Sequence, residues 1–353
     1  MMNIYNSKLW RENLDTVMQI IPELCELEGK SVLVTGAAGL ICSTIVDLFI
    51  RYNETHEGKI TILAAGRSEV KMSDRFAVYF RKSYFTFIPY DASSSTFDIE
   101  LKADYIIHGA SNASPNKIVK EPVETMMSNF NGILTLLDYA KEHGTEKVLY
   151  ISSSEVYGKK ESKNPFDENE YGSIDLLNSR NSYSISKCAA ETLCVSYFEE
   201  YGVKVSIVRP GHIYGPTALR NDNRVSSSWA YNVAEGKDII MKSDGLQIRS
   251  YVYCLDCASA VIKVLLRGEN KKSYNISNPN SILNIREMAE ILCGVANVEL
   301  KIDLPTDEDR KEFNPMINSS LESSALQNLG WSGCFDAKTG FTNTVNIIRE
   351  SLC

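Results

Sequence analysis

The chain predicts an α/β fold built on a doubly wound parallel sheet. Three observations predict it. Val32-Leu33-Val34-Thr35-Gly36-Ala37-Ala38-Gly39-Leu40-Ile41 is an apolar strand running into a glycine turn and a helix start. Short apolar runs then alternate with amphipathic helices as far as Arg209, the pattern of parallel strands joined by right-handed crossovers. Beyond Arg209 the alternation loosens, and 211–248 and 271–353 are richer in Asn, Ser and Gly, with scattered helices.

Taken in order, Leu9, Trp10, Leu14, Val17, Met18 and Ile21 recur at helical spacing. Residues 7–27 therefore read as an extra helix packed on the surface ahead of the first strand. Strand 31–35 and helix 39–52 come next, then strands at 59–64, 86–89 and 105–108. A helix covers about 123–142. Strand 147–152, helix 182–201 and strand 204–208 complete the regular part. No internal repeat and no low-complexity linker interrupts it.

A chain of 353 residues with 44% hydrophobic content can bury one large core or two medium ones. A net charge of −8 argues against a general nucleic-acid binder. No apolar run is long enough for a transmembrane helix, so no membrane partner is expected. Met1-Met2-Asn3-Ile4-Tyr5 lacks the basic and apolar regions of a signal peptide. Nine scattered cysteines, an odd number without a framework, fit a reducing compartment, and a cytoplasmic location is expected. Cys254 and Cys257 form a lone C-x-x-C with no second pair, and the four histidines are dispersed, so no metal is expected.

Gly36 and Gly39 make a Gly-x-x-Gly turn between strand and helix. Glycine there permits positive φ and lets the backbone approach a diphosphate. The next helix aims its N–H groups and positive dipole end at the same phosphate. At the end of the second strand, Ala64-Ala65-Gly66-Arg67-Ser68 offers no acid for a ribose 2′-hydroxyl. Arg67 and Ser68, with Lys71 near, suit a 2′-phosphate and favour NADP over NAD, although Glu69 is also within reach of the ribose. Downstream, Ser152-Ser153-Ser154-Glu155-Val156-Tyr157-Gly158 precedes Tyr183-Ser184-Ile185-Ser186-Lys187 by thirty residues. With 18 tyrosines a Tyr-x-x-x-Lys is expected about once by chance, so its weight comes from its surroundings. Tyr183 and Lys187 share one helix face. A phenol is a poor base near neutrality, and an adjacent ammonium favours the phenolate.

Strand with phosphate turn, serine run, then tyrosine–lysine pair is the order of a short-chain dehydrogenase/reductase. The chain resembles the extended branch, which modifies nucleotide-activated sugars on a Rossmann-like fold. The resemblance implies a first domain of 29–210 plus about 249–270, preceded by the extension 1–28. It implies a smaller C-terminal substrate-binding lobe from about 211–248 plus 271–353. It places a tightly bound, recycled NAD(P) on Gly36, Ala38, Gly39, Leu40, Ile41, Arg67, Ser68, Asp91, Ala92, Ala110, Ser111, Tyr183 and Lys187. It makes Ser153, Glu155, Tyr183 and Lys187 catalytic. It also implies a homodimer paired through helices 123–142 and 182–201.

Within that branch the chain is most similar to the UDP-glucuronate decarboxylases. The matching segments are His108-Gly109-Ala110-Ser111-Asn112-Ala113-Ser114-Pro115, the serine run, Arg180, Asn221-Asp222-Asn223-Arg224-Val225-Ser226 and Gln247-Ile248-Arg249. The similarity implies substrate contacts at Ser114, Ser154, Arg180, His212, Arg224 and Arg249. It implies oxidation at sugar C4 to a 4-keto intermediate, then loss of the C6 carboxylate. Ser154 stands where the 4,6-dehydratases have an acid, and the chain departs from the family pattern at three places. Cys42 replaces a third glycine. His212 replaces an Asn near the diphosphate, and Cys188 replaces a basic residue. Epimerisation, 4,6-dehydration and an NADPH-consuming ketoreductase remain alternative outcomes, as does a different nucleotide, sugar or activated polyol. A non-catalytic cofactor sensor is a further class, against which the intact Ser153, Tyr183 and Lys187 argue.

Overall fold

The computed structural model describes residues 3–160, 164–303 and 317–352. Its centre is a seven-stranded parallel sheet. The strands are β1 (Ser31–Thr35), β2 (Thr61–Gly66), β3 (Phe85–Pro89), β4 (Tyr105–His108), β5 (Lys147–Ile151), β6 (Val205–Pro210) and, later in the chain, β10 (Ser273–Ile276). Their spatial order is β10-β6-β5-β4-β1-β2-β3. The winding reverses between β1 and β4, where Thr35 pairs with His108. Ligands of open parallel sheets sit at the carboxyl ends of such a pair.

The side-chain alternation of β1 explains the two covering layers. Val32 and Val34 face one core, together with Ile45, Phe49, Val261 and Leu265 of helices α2 (Leu40–Thr55) and α8 (Cys254–Arg267). Leu33 faces the other core, together with Ile133, Leu137, Ala190 and Cys194 of α5 (Pro122–His143) and α6 (Ser182–Tyr201). α5 and α6 end on Gly144 and Gly202, both left-handed, at φ 65° and 73°. Glycine takes that conformation without the Cβ penalty other residues meet.

The N-terminal segment is not one helix. α1 (Lys8–Met18) stops before Pro22, which starts a separate 3-10 turn, Pro22–Leu27. Proline has no N–H to continue the ladder and restricts Ile21 ahead of it. Nor is the segment a surface appendage: Trp10, Val17, Ile21 and Leu27 are fully buried, against α2, α8 and the C-terminal helix Ala337–Leu352.

The later chain forms two smaller sheets. β9 (Ile248–Tyr253) pairs with β7 (His212–Tyr214), β11 (Ile282–Asn284) and β13 (Asn318–Ser319). β8 (Ile239–Met241) pairs with β12 (Leu300–Ile302). α7 (Val225–Ala234), α9 (Ile285–Ala296) and the C-terminal helix pack on one another. β10, within 271–353, pairs with β6 of the main sheet, and β9, within 249–270, pairs with the strands of a small one. Strand 248–253 runs directly into α8.

Among the described residues no helix is long and apolar enough to cross a membrane, and no group of three metal-ligating side chains occurs. The described cysteines are free thiols, with Cys254 and Cys257 buried on α8.

Candidate active site

The glycine turn lies at the switch point. Gly36 has φ +69°, and a Cβ on it would stand 2.9 Å from both Cα and N of Ala110. Two backbones therefore meet there without side chains between them. Gly39 donates to the Gly36 carbonyl at 2.8 Å and forms the N-cap of α2. The first-turn N–H groups of α2, at Leu40 and Ile41, have no partners within the helix. The turn fits a dinucleotide diphosphate: a backbone cradle that a Cβ would fill, under a helix N-terminus. Thr35 Oγ1 fixes the opposite wall, contacting His108 Nδ1 at 2.7 Å and accepting from Gly109 N and Ala110 N at 3.2 and 3.3 Å.

Arg67 and Ser68 emerge at the end of β2. Ser68 caps the short helix α3 (Glu69–Arg75) by accepting from Lys71 N. Arg67 is exposed, with no carboxylate partner among the described residues. Asp91, after β3, accepts from Ser93 N and Oγ at 2.9 and 2.8 Å. Those bonds, and secondarily the charge of Arg67, hold its carboxyl below the usual range. Ala92 is buried beside it. This cluster lies apart from the reacting residues, at the β2–β3 edge of the sheet.

Ser153, Tyr183 and Lys187 converge at the end of β5. Ser153 begins the 3-10 turn Ser154–Tyr157 and accepts from Glu155 N at 3.2 Å. Lys187 donates to the Ile151 carbonyl at 2.8 Å and lies 5.8 Å from the Tyr183 ring centroid. Burial pushes the Tyr183 phenol up to about 12; the carboxylate of Glu155 acts in the same direction, while the Ser153 and Ser111 hydroxyls oppose it. Burial also pulls the Lys187 ammonium down to about 8. In the protein by itself, desolvation thus moves the phenol in the direction opposite to the one the sequence suggests. The Glu155 carboxylate accepts from Ser184 Oγ at 3.2 Å and pairs with Arg180 at 3.5 Å. Ser154 is buried in the same turn.

Three residues without a motif of their own hold this geometry. Asn129, on the buried side of α5, accepts from Ser111 Oγ at 2.7 Å and donates to Ser186 Oγ at 3.0 Å. It ties the β4 loop to the helix of Tyr183. Glu191, one turn beyond Lys187, accepts from Ser152 Oγ at 2.5 Å. Arg209 meets the same carboxylate through Nε and Nη2 at 3.0 and 2.7 Å. Arg209 also donates to the Tyr157 hydroxyl at 3.0 Å, and that hydroxyl donates to Asn275 at 2.6 Å. Sequence reasoning misses all three; the signals for them are a polar Asn on an apolar helix face and an acid at i+4 from the lysine.

On the lobe side, Arg249 of β9 is 4% exposed and donates to the Ile248 carbonyl at 2.8 Å. No acid pairs with it among the described residues. Burial pulls its guanidinium below the ordinary arginine range. His212 of β7 pairs in register with Tyr251 of β9. Its Nδ1 is shut off from solvent and has no hydrogen-bond partner among the described residues. Burial, then the charges of Arg249 and Arg224, pull the imidazole down to about 3. Gln247 Oε1 is likewise buried, with no partner among the described residues. Arg224 is held by the Asp222 carboxylate. The charge of Arg224 favours the Tyr183 phenolate, against the burial that disfavours it. Ser114 opens the short helix α4 (Pro115–Lys120) on the β4 side.

Comparison with known proteins gives the family and the fold. The model of the NAD dependent epimerase/dehydratase family matches residues 32–277. UDP-glucuronic acid decarboxylase 6 of Arabidopsis thaliana is 30% identical over 302 residues, covering 85% of this chain and 83% of that protein. UDP-glucuronic acid decarboxylase 1 of Xenopus tropicalis is 27% identical, covering 93% and 74%. Among solved structures, the UDP-glucose 4-epimerase of Thermotoga maritima with UDP-glucose superposes with a TM-score of 0.76 at 22% identity, covering 92% of this chain and all of that one. The dTDP-glucose 4,6-dehydratase of Bacillus anthracis in complex with NAD gives 0.73 at 21%, covering 90% and 96%.

Proposed function

Because the chain belongs to the NAD dependent epimerase/dehydratase family, we propose that it oxidises a nucleotide-diphosphate sugar at C4 and then removes a C6 carboxylate, as a UDP-glucuronate decarboxylase does. It is an NAD(P)-dependent, nucleotide-sugar-modifying enzyme. The observation that carries the decarboxylation is Arg249: a buried guanidinium to which the described chain offers no carboxylate. A buried charge needs a partner, and a planar guanidinium suits a carboxylate bidentately.

The nicotinamide supplies a hydride acceptor that returns what it takes. Tyr183 accepts the C4 hydroxyl proton while Ser153 hydrogen-bonds to the same oxygen. Lys187 supplies positive charge beside the phenol and holds the cofactor ribose. Asn129, through Ser111 and Ser186, keeps the two loops in register around that oxygen. Arg249 holds the C6 carboxylate while the 4-ketone takes up the electron pair of the breaking C5–C6 bond. A proton taken up from solvent and passed on by Glu155 replaces the departed carboxylate on C5, and Tyr183 returns its proton as C4 is reduced. Ser114, Ser154, Arg180, His212 and Arg224 line the sugar and diphosphate.

A second reading keeps the oxidation and changes the step after it. With an uncharged hexose, Arg249 serves the diphosphate, and Glu155 removes the C5 proton for epimerisation. Ser154, no proton donor of an acid's strength, counts against 4,6-dehydration. Incubation with a panel of nucleotide sugars, read by mass spectrometry and NMR, tests the reading. Release of carbon dioxide from UDP-glucuronate is expected. Loss of water, or an unchanged mass with altered ring couplings, would replace it with dehydration or epimerisation. Net consumption of NADPH would make the protein a ketoreductase.

NADP is the preferred cofactor on this reading, because Arg67 stands free where an acid would meet a ribose 2′-hydroxyl. The protein works as a homodimer in the cytoplasm. Val123, Met126, Met127 and Phe130 form an exposed apolar stripe along α5, continued by Val119 of α4. A second copy covering that stripe would bury it. Light scattering checks the dimer.

A further inference from the structure

We propose that Tyr5, in the segment ahead of the family-matched region, is a positioning residue for the adenosine end of the cofactor site, acting through Arg75. The proposal rests on the reading that Arg67 meets the adenosine ribose.

Tyr5 stands at the meeting point of three elements. Its hydroxyl donates to Asp47 Oδ1 of α2 at 2.6 Å and accepts from Arg75 Nη1 of α3 at 2.9 Å. The other end of the Arg75 guanidinium pairs with Asp47. That guanidinium also lies over the rings of Tyr5 and Phe76, 5.4 and 4.7 Å from their centroids. Asp47 is 1% exposed, so each partner is needed to offset its desolvation. Tyr5 itself is fixed from both sides. Asn3 caps its 3-10 turn, and Ser7 caps α1 while donating to Glu350 of the C-terminal helix.

The placement of α3 makes this a cofactor matter. α3 is only seven residues, about 10 Å long, so its two ends move together. Arg75 closes it, and Ser68 and Arg67 open it. Residues 3–27 thus reach the adenosine end through the far end of one short helix. The phosphate turn is held otherwise, by Gly36 against Ala110 and by Thr35. Loss of the Tyr5 hydroxyl should therefore loosen Arg67 and Ser68 and leave the nicotinamide end in place. The family model begins at residue 32 and assigns this segment nothing.

The test uses the full chain as wild type, Tyr5→Phe and Arg67→Ala, with adenosine 2′,5′-bisphosphate and nicotinamide mononucleotide titrated separately by calorimetry. Tyr5→Phe is expected to weaken the bisphosphate by about tenfold, the scale of one hydrogen bond to a charged group, and to leave the mononucleotide unchanged. Arg75→Lys, which keeps the charge but cannot fork between Tyr5 and Asp47, should do the same. Equal weakening of both fragments by Tyr5→Phe, or of neither, overturns the proposal. If Arg67→Ala leaves the bisphosphate unaffected, the Arg67 reading falls and takes the proposal with it. A loss in Arg67→Ala with none in Tyr5→Phe overturns the proposal alone.

Discussion

Cys42 and Gly109 share one space: a Cβ built on Gly109 would stand 2.3 Å from the Cys42 thiol. The pair lies behind the phosphate turn, where α2 passes the loop after β4. A side chain larger than glycine on α2 is accommodated by having none on the loop. Gly109→Ala is expected to destabilise the protein by about 1–3 kcal/mol, the cost of overpacking. Adding Cys42→Ala should recover most of that loss. Thermal melts of the two single variants and the double variant check this. Additive losses would mean that the residues do not share the space.

Tyr183→Phe should lower turnover by at least about 10²-fold while the cofactor still binds, because the cradle and the Arg67 region are separate from the phenol. Glu155→Gln keeps size and hydrogen bonding but removes the acid. It should slow product formation yet let substrate reduce the cofactor, seen as a transient absorbance of the reduced nicotinamide. A mutant that neither slows nor accumulates reduced cofactor would leave Glu155 a loop residue bonded to Ser184.

Glu191→Gln leaves the Arg209 guanidinium buried opposite a neutral amide. A loss of about 3–5 kcal/mol is expected, the usual cost of breaking a buried pair. Replacing both, as Glu191→Gln with Arg209→Met, should restore much of the stability. Lower activity in the refolded double variant would mark the pair as the brace for Ser152 and the α6 helix. Urea denaturation and turnover, measured on the same samples, separate the two effects.

His108 and His212 give the protein an acid weakness. Burial holds both imidazoles neutral down to about 3, against an ordinary value of 6.5. Between those limits the unfolded chain binds protons that the folded chain does not, so stability falls as pH falls through that window. The urea midpoint should drop from pH 6.5 toward 3. In His212→Asn the drop should be shallower, by up to ~1.4 kcal/mol per pH unit. Parallel slopes would show that the His212 imidazole is not held neutral.

Much of this is legible in the sequence because strong local signals stand alone. Helix 182–201 reads to both ends, since Gly202 stops it in the left-handed conformation. Strands 31–35 and 105–108 are apolar runs bounded by turns. α8 carries a polar row at helical spacing, Asp256, Ser259, Lys263 and Arg267, but that row is covered in the fold, Lys263 by Glu23 and Ser259 by Trp331, so its burial on every side is not legible. At Pro22 the apolar spacing continues across a backbone break, so periodicity alone merges two elements into one. The family resemblance picks out Ser153, Tyr183 and Lys187, and the structure brings them together at the end of β5. The meaning of Asn129, Glu191 and Arg209 is in three-dimensional contact, with Arg209 on β6 reaching Glu191 on α6.

Arg249, which has no acid partner among the described residues, makes the enzyme's stability depend on what it is bound to. A guanidinium pulled out of water and answered, among the described residues, by a single backbone carbonyl leaves the folded lobe carrying a cost that an anion relieves. Any ligand that binds only the folded form raises its stability in proportion to the logarithm of its concentration. A nucleotide sugar with a carboxylate should therefore lift the melting temperature more than the same nucleotide sugar without one, and Arg249→Met should erase the difference. On that view the substrate serves twice, once as reactant and once as the last counter-ion of the fold.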